Sequence, residues 1–159
     1  MVRRRSLVVQ PNQETPLPWL ADVEHPFCAS SEQCGANLLF APHTHPTLQI
    51  MFSLEGVLTA STTSSEWRAP PHSMVWIPPH RQHGLAVARP CRVFCIHLPT
   101  DGQEEPDDCS VSPVPPLVIE LVAYLARPDR SVDLARQACL KEVIREELRC
   151  VDPSACRMQ

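Results

Sequence analysis

Proline sets the terms for this chain. Eighteen of its 159 residues are proline and only four are glycine. Proline fixes φ and has no amide hydrogen to donate, so it breaks helix interiors and is excluded from central strands. At this density an all-helical bundle is ruled out, and short strands joined at rigid corners are favoured. A chain of this length suits one domain. Its 43% apolar and 20% charged residues are enough for a packed core and exclude a disordered tail. The net charge of −4 leaves no global positive field to hold nucleic acid.

The amino terminus does not read as an export signal. Arg3, Arg4 and Arg5 are followed by an apolar run of only Leu7 to Val9 before Gln10-Pro11-Asn12. No stretch approaches the ~20 apolar residues that a membrane span needs. The expectation is a cytoplasmic protein, not associated with membranes, with reduced cysteines. Cys28, Cys34, Cys91, Cys95, Cys109, Cys139, Cys150 and Cys156 form no C-x-x-C pair. They read as small buried groups or free surface thiols rather than a zinc knuckle or disulfide framework.

Texture divides the chain. Residues 1–34 read as an irregular amino-terminal arm, with Pro11, Pro16, Pro18 and Pro26. Residues 35–99 read as a small β-sandwich or barrel of short apolar runs broken by turn chemistry. Its candidate strands are 36–40, 49–54, 57–61, 66–69, 73–77, 85–87 and 92–98, and their short connections predict antiparallel neighbours. Residues 100–116 read as an acidic, proline-bearing linker. From there to residue 150 the period turns helical. Leu117, Val118, Leu121, Val122 and Leu125 make one apolar face, and Cys139, Leu140, Val143, Ile144 and Leu148 make another. Pro128 is placed to end the first helix and Ser131 to cap the second. Residues 151–159 form a tail. The predicted fold is therefore mostly β, followed by two amphipathic helices.

The chemistry concentrates in histidines. In His43-Thr44-His45 the two imidazoles are two residues apart, so on an extended strand both reach one point. Gln49 would lie ~13 Å from His45 on a straight strand. Pro46-Thr47 is a plausible corner that returns Gln49 on the next strand. Downstream, Pro78-Pro79-His80-Arg81-Gln82-His83 is another tight turn delivering an imidazole.

These residues resemble the cupin barrel. Its first motif is H-x-H, three or four residues, Glu, six residues, Gly; His43, His45, Gln49 and Gly56 keep that spacing, with Gln in place of Glu. Its second is P-x-G-x-x-H-x-x-x-N. Pro78 and His83 match it, with His80 where Gly is usual and Val87 where Asn is usual. Together with Trp67, Pro70-Pro71 and Trp76-Ile77-Pro78-Pro79, the run looks like the sensor domain of AraC-type transcription regulators, over residues 35–99. The resemblance implies a jelly-roll cupin barrel that receives an effector, followed by helices that support homodimerisation. It also implies that DNA contact falls to a helix-turn-helix part, which by the family's plan follows such a domain and is absent from this sequence. A free-standing sensor-like cupin fits the same residues.

Three imidazoles and an amide oxygen form a neutral ligand set, suited to a divalent transition metal such as nickel, zinc or iron. Replacing Glu by Gln removes a negative charge and a carboxylate that could shuttle protons. This shifts the reading from enzyme to sensor. A small metal-dependent dioxygenase or isomerase remains the alternative, as does a metal-free binder whose histidines hydrogen-bond a small molecule. No catalytic residue is assigned. His97 shares a strand face with Cys95 and Val93 and reads as a hydrogen-bonded core histidine that could line the pocket. Phe52, Trp67, Trp76 and Phe94 read as core; Phe52 or Trp76 could supply a pocket wall. His25, His72 and His80 carry no assignment.

Overall fold

The double prolines are where the chain turns hardest. In Pro70-Pro71-His72-Ser73 the Ser73 amide donates to the Pro70 carbonyl at 3.0 Å, and in Pro78-Pro79-His80-Arg81 the Arg81 amide reaches the Pro78 carbonyl at 3.4 Å. The third residue of each turn has positive φ, 65° at His72 and 60° at His80. This is the type II pattern, which favours proline in the second position and usually glycine in the third. His80 thus occupies the backbone conformation for which the cupin motif carries glycine.

The computed structural model describes residues 27–35, 38–99, 107–127 and 132–151. Within them run the strands β1 (Cys28–Cys34), β2 (Leu38–His43), β3 (Leu48–Ser53), β4 (Leu58–Ser61), β5 (Glu66–Ala69), β6 (Ser73–Ile77), β7 (His83–Val87), β8 (Cys91–Leu98) and β9 (Ser110–Pro113). Helices α1 (Pro116–Leu125) and α2 (Leu134–Arg149) follow. Pairing is nested: β1 with β8, β2 with β7, β3 with β6, and β4 with β5, all antiparallel. The chain therefore rolls up like a long hairpin whose tip joins β4 to β5. Two sheets result, in the orders β1-β8-β3-β6-β9 and β2-β7-β4-β5. This is a jelly-roll cupin barrel followed by two helices.

The antiparallel expectation holds, but consecutive strands mostly do not pair. Only β4 and β5 do so, and the others meet partners from far along the chain. Two stretches read as irregular are strands. Cys28–Cys34, placed in the arm, pairs with β8 along its whole length, and Ser110–Pro113, placed in the linker, pairs with β6. Both are edge strands whose polar residues carry little apolar signal, so pairing decides their conformation. The rest of the arm through residue 26, residues 100–106 of the linker, and the tail from residue 152 lie outside the described residues. Pro128 and Ser131 lie outside them too. The observed cap of α2 is Asp133, whose carboxylate accepts from the Arg136 amide at 2.9 Å.

Strand alternation separates two cores. Met51, Leu58, Val75, Ile77, Leu85, Val87 and Val93 pack between the sheets. Ile50, Phe52, Met74, Trp76, Phe94 and Ile96 face the other way, where Val118 and Val122 of α1 and Ile144 and Leu148 of α2 cover them. The apolar stripe expected on α2 is narrower than its composition, since Cys139 and Val143 are exposed. Among the described residues, no helix is long and apolar enough to cross a membrane.

Candidate metal centre

The polar end of the barrel interior is built by two corners. Strand β2 closes at His43, which sits directly across from His83 at the start of β7. The register shifts between Phe40 and His43, where Pro42 has no amide for the ladder. The chain then bends at Pro46 and Thr47 and returns as β3, carrying Gln49 between Ile77 of β6 and His97 of β8. The amide of His80 donates to the carbonyl of His45 at 2.8 Å, tying the two histidine-bearing corners together.

The corner at Pro46-Thr47 does what a straight strand could not. Gln49 Oε1 lies 2.8 Å from His45 Nε2 and 3.2 Å from His83 Nε2. The ring of His43 lies 4.4 Å from that of His83 and 5.9 Å from that of His45, centroid to centroid. The ligand atoms available on His43, His45 and His83 all fall within 4.8 Å of one another. His45, His83 and Gln49 are buried. The four residues singled out by motif spacing are thus brought to one place.

Hydrogen bonding fixes which atoms face inward. His45 Nδ1 is 2.8 Å from the Thr47 carbonyl, and His83 Nδ1 is 2.7 Å from the Arg81 carbonyl. A carbonyl only accepts, so each Nδ1 carries the proton. Burial holds both imidazoles below their ordinary pKa, His83 down to about 3. They are therefore neutral near pH 7, and each Nε2 presents a lone pair. Gln49 turns its amide nitrogen outward to donate to Cys95 Sγ at 3.2 Å, so its oxygen faces those lone pairs. Two imidazole nitrogens and the side-chain amide of Gln49 thus converge on one point. That donor set fits a divalent transition ion.

Of the three residues considered as pocket walls, the structure brings only His97 to this cluster. Its ring stands edge-on to His45 at 5.1 Å, its Nδ1 lies 2.8 Å from Thr47 Oγ1, and burial drives its pKa to about 3. Phe52 and Trp76 belong to the core under the helices. Phe52 stacks on Phe94 at 5.1 Å, and Trp76 Nε1 donates to Ser112 Oγ at 2.7 Å. Residue parity explains this, because Phe52 is three positions from Gln49 on the same strand and so faces the opposite way. Sequence reading passed over Thr47 and Cys95 as site residues, and over the carbonyls of Thr47 and Arg81. Main-chain groups leave no signature in sequence, but a threonine at the corner between His45 and Gln49 was a usable signal.

The family model described as "AraC-like ligand binding domain" matches residues 28–144. Among solved structures, ToxT from Vibrio cholerae superposes with a TM-score of 0.54 at 8% identity, covering 77% of this chain and 54% of that one. ToxT from the O395 strain, bound to (E)-4-(8-methylnaphthalen-1-yl)but-3-enoic acid, gives 0.52 at 8% identity, covering 77% and 57%. An RmlC-like cupin from Shewanella frigidimarina overlaps less, with a TM-score of 0.42 at 16% identity over 48% of this chain and 68% of that one. The chain thus spans about half the length of ToxT. No curated protein matches it.

Proposed function

We propose that this chain, which belongs to the AraC-like ligand binding domain family, is a regulatory sensor that receives a small molecule or metal effector at the histidine end of its barrel. His43, His45, His83 and Gln49 would hold a divalent transition metal such as nickel, zinc or iron. When bound, the ion would supply a Lewis-acidic position for a donor atom of the effector. The observation that carries this reading is the convergence of the His45 and His83 Nε2 lone pairs on Gln49 Oε1.

The same residues favour regulation over catalysis. No carboxylate joins the histidine group among the described residues, and the amide of Gln49 cannot shuttle protons as a cupin enzyme's carboxylate would. In this reading the protein acts in the cytoplasm as a homodimer, and a helix-turn-helix part of the regulator would make the DNA contact. Val143, 41% exposed beside the exposed Cys139 on α2, supports a helix-mediated dimer. Val143→Glu is expected to convert it to monomer in sedimentation with the fold intact.

A metal-free binder is the second reading, and one observation bears on it directly. With the Gln49 amide rotated, its NH2 group would donate to both Nε2 atoms and the Cys95 thiol would donate to its oxygen. In the orientation of the structure its oxygen faces both Nε2 atoms instead, as a metal ligand would. Metal analysis of protein purified without a histidine tag tests the choice. A stoichiometric transition metal is expected, lost in His45→Ala; metal retained unchanged by that variant overturns the site.

A further inference from the structure

We infer that His97 is a positioning residue for this centre, holding His45 in register and tautomer through Thr47; its effect on metal affinity rests on the metal reading above. His45 meets Gln49 only because the chain doubles back at Pro46-Thr47. The Thr47 carbonyl accepts from His45 Nδ1 at 2.8 Å and so selects the tautomer that leaves Nε2 unprotonated. Where that carbonyl sits depends on Thr47, whose hydroxyl is pinned 2.8 Å from His97 Nδ1.

The pin has its own anchor. His97 lies on β8 directly opposite Gln49 on β3, so the strut and the amide it serves stand on one strand pair. Thr47 is 2% exposed and His97 1%, so water has little access to replace a lost bond. The His97 ring also stands nearly perpendicular to the His45 ring, at 89°, and restricts its rotation by packing. Hydrogen bond and ring contact therefore act on the same imidazole. A residue that orients a ligand in this way commonly changes metal affinity about tenfold or more when removed.

The test uses Thr47→Val, which keeps side-chain shape but removes the hydroxyl, Thr47→Ser, which restores it, and His97→Phe, which keeps a ring but removes Nδ1. Histidine ring 15N spectra of the metal-free protein read the tautomer. His45 is expected as Nδ1–H in the wild type and Thr47→Ser, and as a mixture in Thr47→Val and His97→Phe. Zinc affinity, from competition with a chelator, is expected to fall about tenfold in the latter two variants and to recover in Thr47→Ser. Wild-type tautomer and affinity in Thr47→Val would overturn the inference while leaving the metal site standing. Scrambled tautomers in Thr47→Val, together with no zinc binding by the wild type, would uphold the positioning role and sink the metal reading. Should Thr47→Val not fold, His97→Phe carries the same comparison.

Discussion

Gln49 donates its amide hydrogen to Cys95 Sγ at 3.2 Å, and this outward bond leaves its carbonyl oxygen between two imidazole nitrogens. The thiol is a suitable acceptor because burial raises its pKa to about 12, so it brings no charge into the barrel. A neutral amide, held by a neutral thiol and flanked by neutral histidines, makes a centre without a fixed negative charge. On the metal reading proposed above, such a centre would hold a cation without a permanent counter-charge.

Gln49→Glu should therefore tighten the centre. A carboxylate beside His45 and His83 adds a negative charge at a buried position, where electrostatic attraction is strong. Zinc affinity is expected to rise at least about tenfold, a gain of about 1.4 kcal/mol. Chelator competition on the two proteins checks it. Equal or weaker binding in the variant would mean that Gln49 does not face the ion.

Acid should destabilise the metal-free protein through its buried histidines. His83 and His97 take up protons only near pH 3 when folded, because burial disfavours the charged ring. In the unfolded chain they do so near pH 6.5. Between those values the unfolded state binds more protons, so stability is complete above pH 6.5 and falls as pH drops toward 3. The slope is expected to reach up to about 1.4 kcal/mol per pH unit for each histidine. Urea midpoints at successive pH values measure it, and His97→Phe should remove one histidine's share. A flat profile below pH 6.5 would contradict the buried neutral rings.

Much of the site was legible because its residues are spaced by corners that proline advertises. The bend at Pro46-Thr47 follows from two residues, and it decides whether Gln49 is 13 Å away, roughly, or in contact. The second corner follows in the same way from Pro78-Pro79. What could not be read is the long-range partnering. Cys28–Cys34 holds serine, glutamate and glutamine among its residues, and it becomes a strand because β8 lies beside it. Phe52 and Trp76 illustrate the same gap. Their parity relative to Gln49 and Ile77 was available from sequence, but only packing shows that their face is covered by α1 and α2.

His80 offers a stabilising substitution. Its φ of 60° costs a non-glycine residue about 1 kcal/mol, and its side chain is exposed. His80→Gly should relieve that strain and raise the urea midpoint by the equivalent of up to about 0.5 kcal/mol, after the entropy that glycine adds to the unfolded chain. His80→Val should lower it, because a β-branched residue resists this conformation. Zinc affinity should stay unchanged in His80→Gly, since the group that supports His45 is the backbone amide of residue 80.

Gly56 is required for a different reason. It lies in the loop after β3, where its amide donates to Ser53 Oγ at 3.1 Å. A Cβ at this position would run into Cys91 Sγ and lie 2.7 Å from Cys91 Cβ. Cys91 opens β8 opposite Cys34 and is buried in the core between the sheets, so neither partner can withdraw easily. Gly56→Ala should cost about 1–3 kcal/mol through overpacking, measured by urea unfolding of the metal-free protein. Adding Cys91→Ala removes the sulfur contact but leaves the Cβ contact, so the double variant should recover only part of the loss. Full recovery would place the clash at sulfur alone, and no loss in the single variant would show that the loop yields instead.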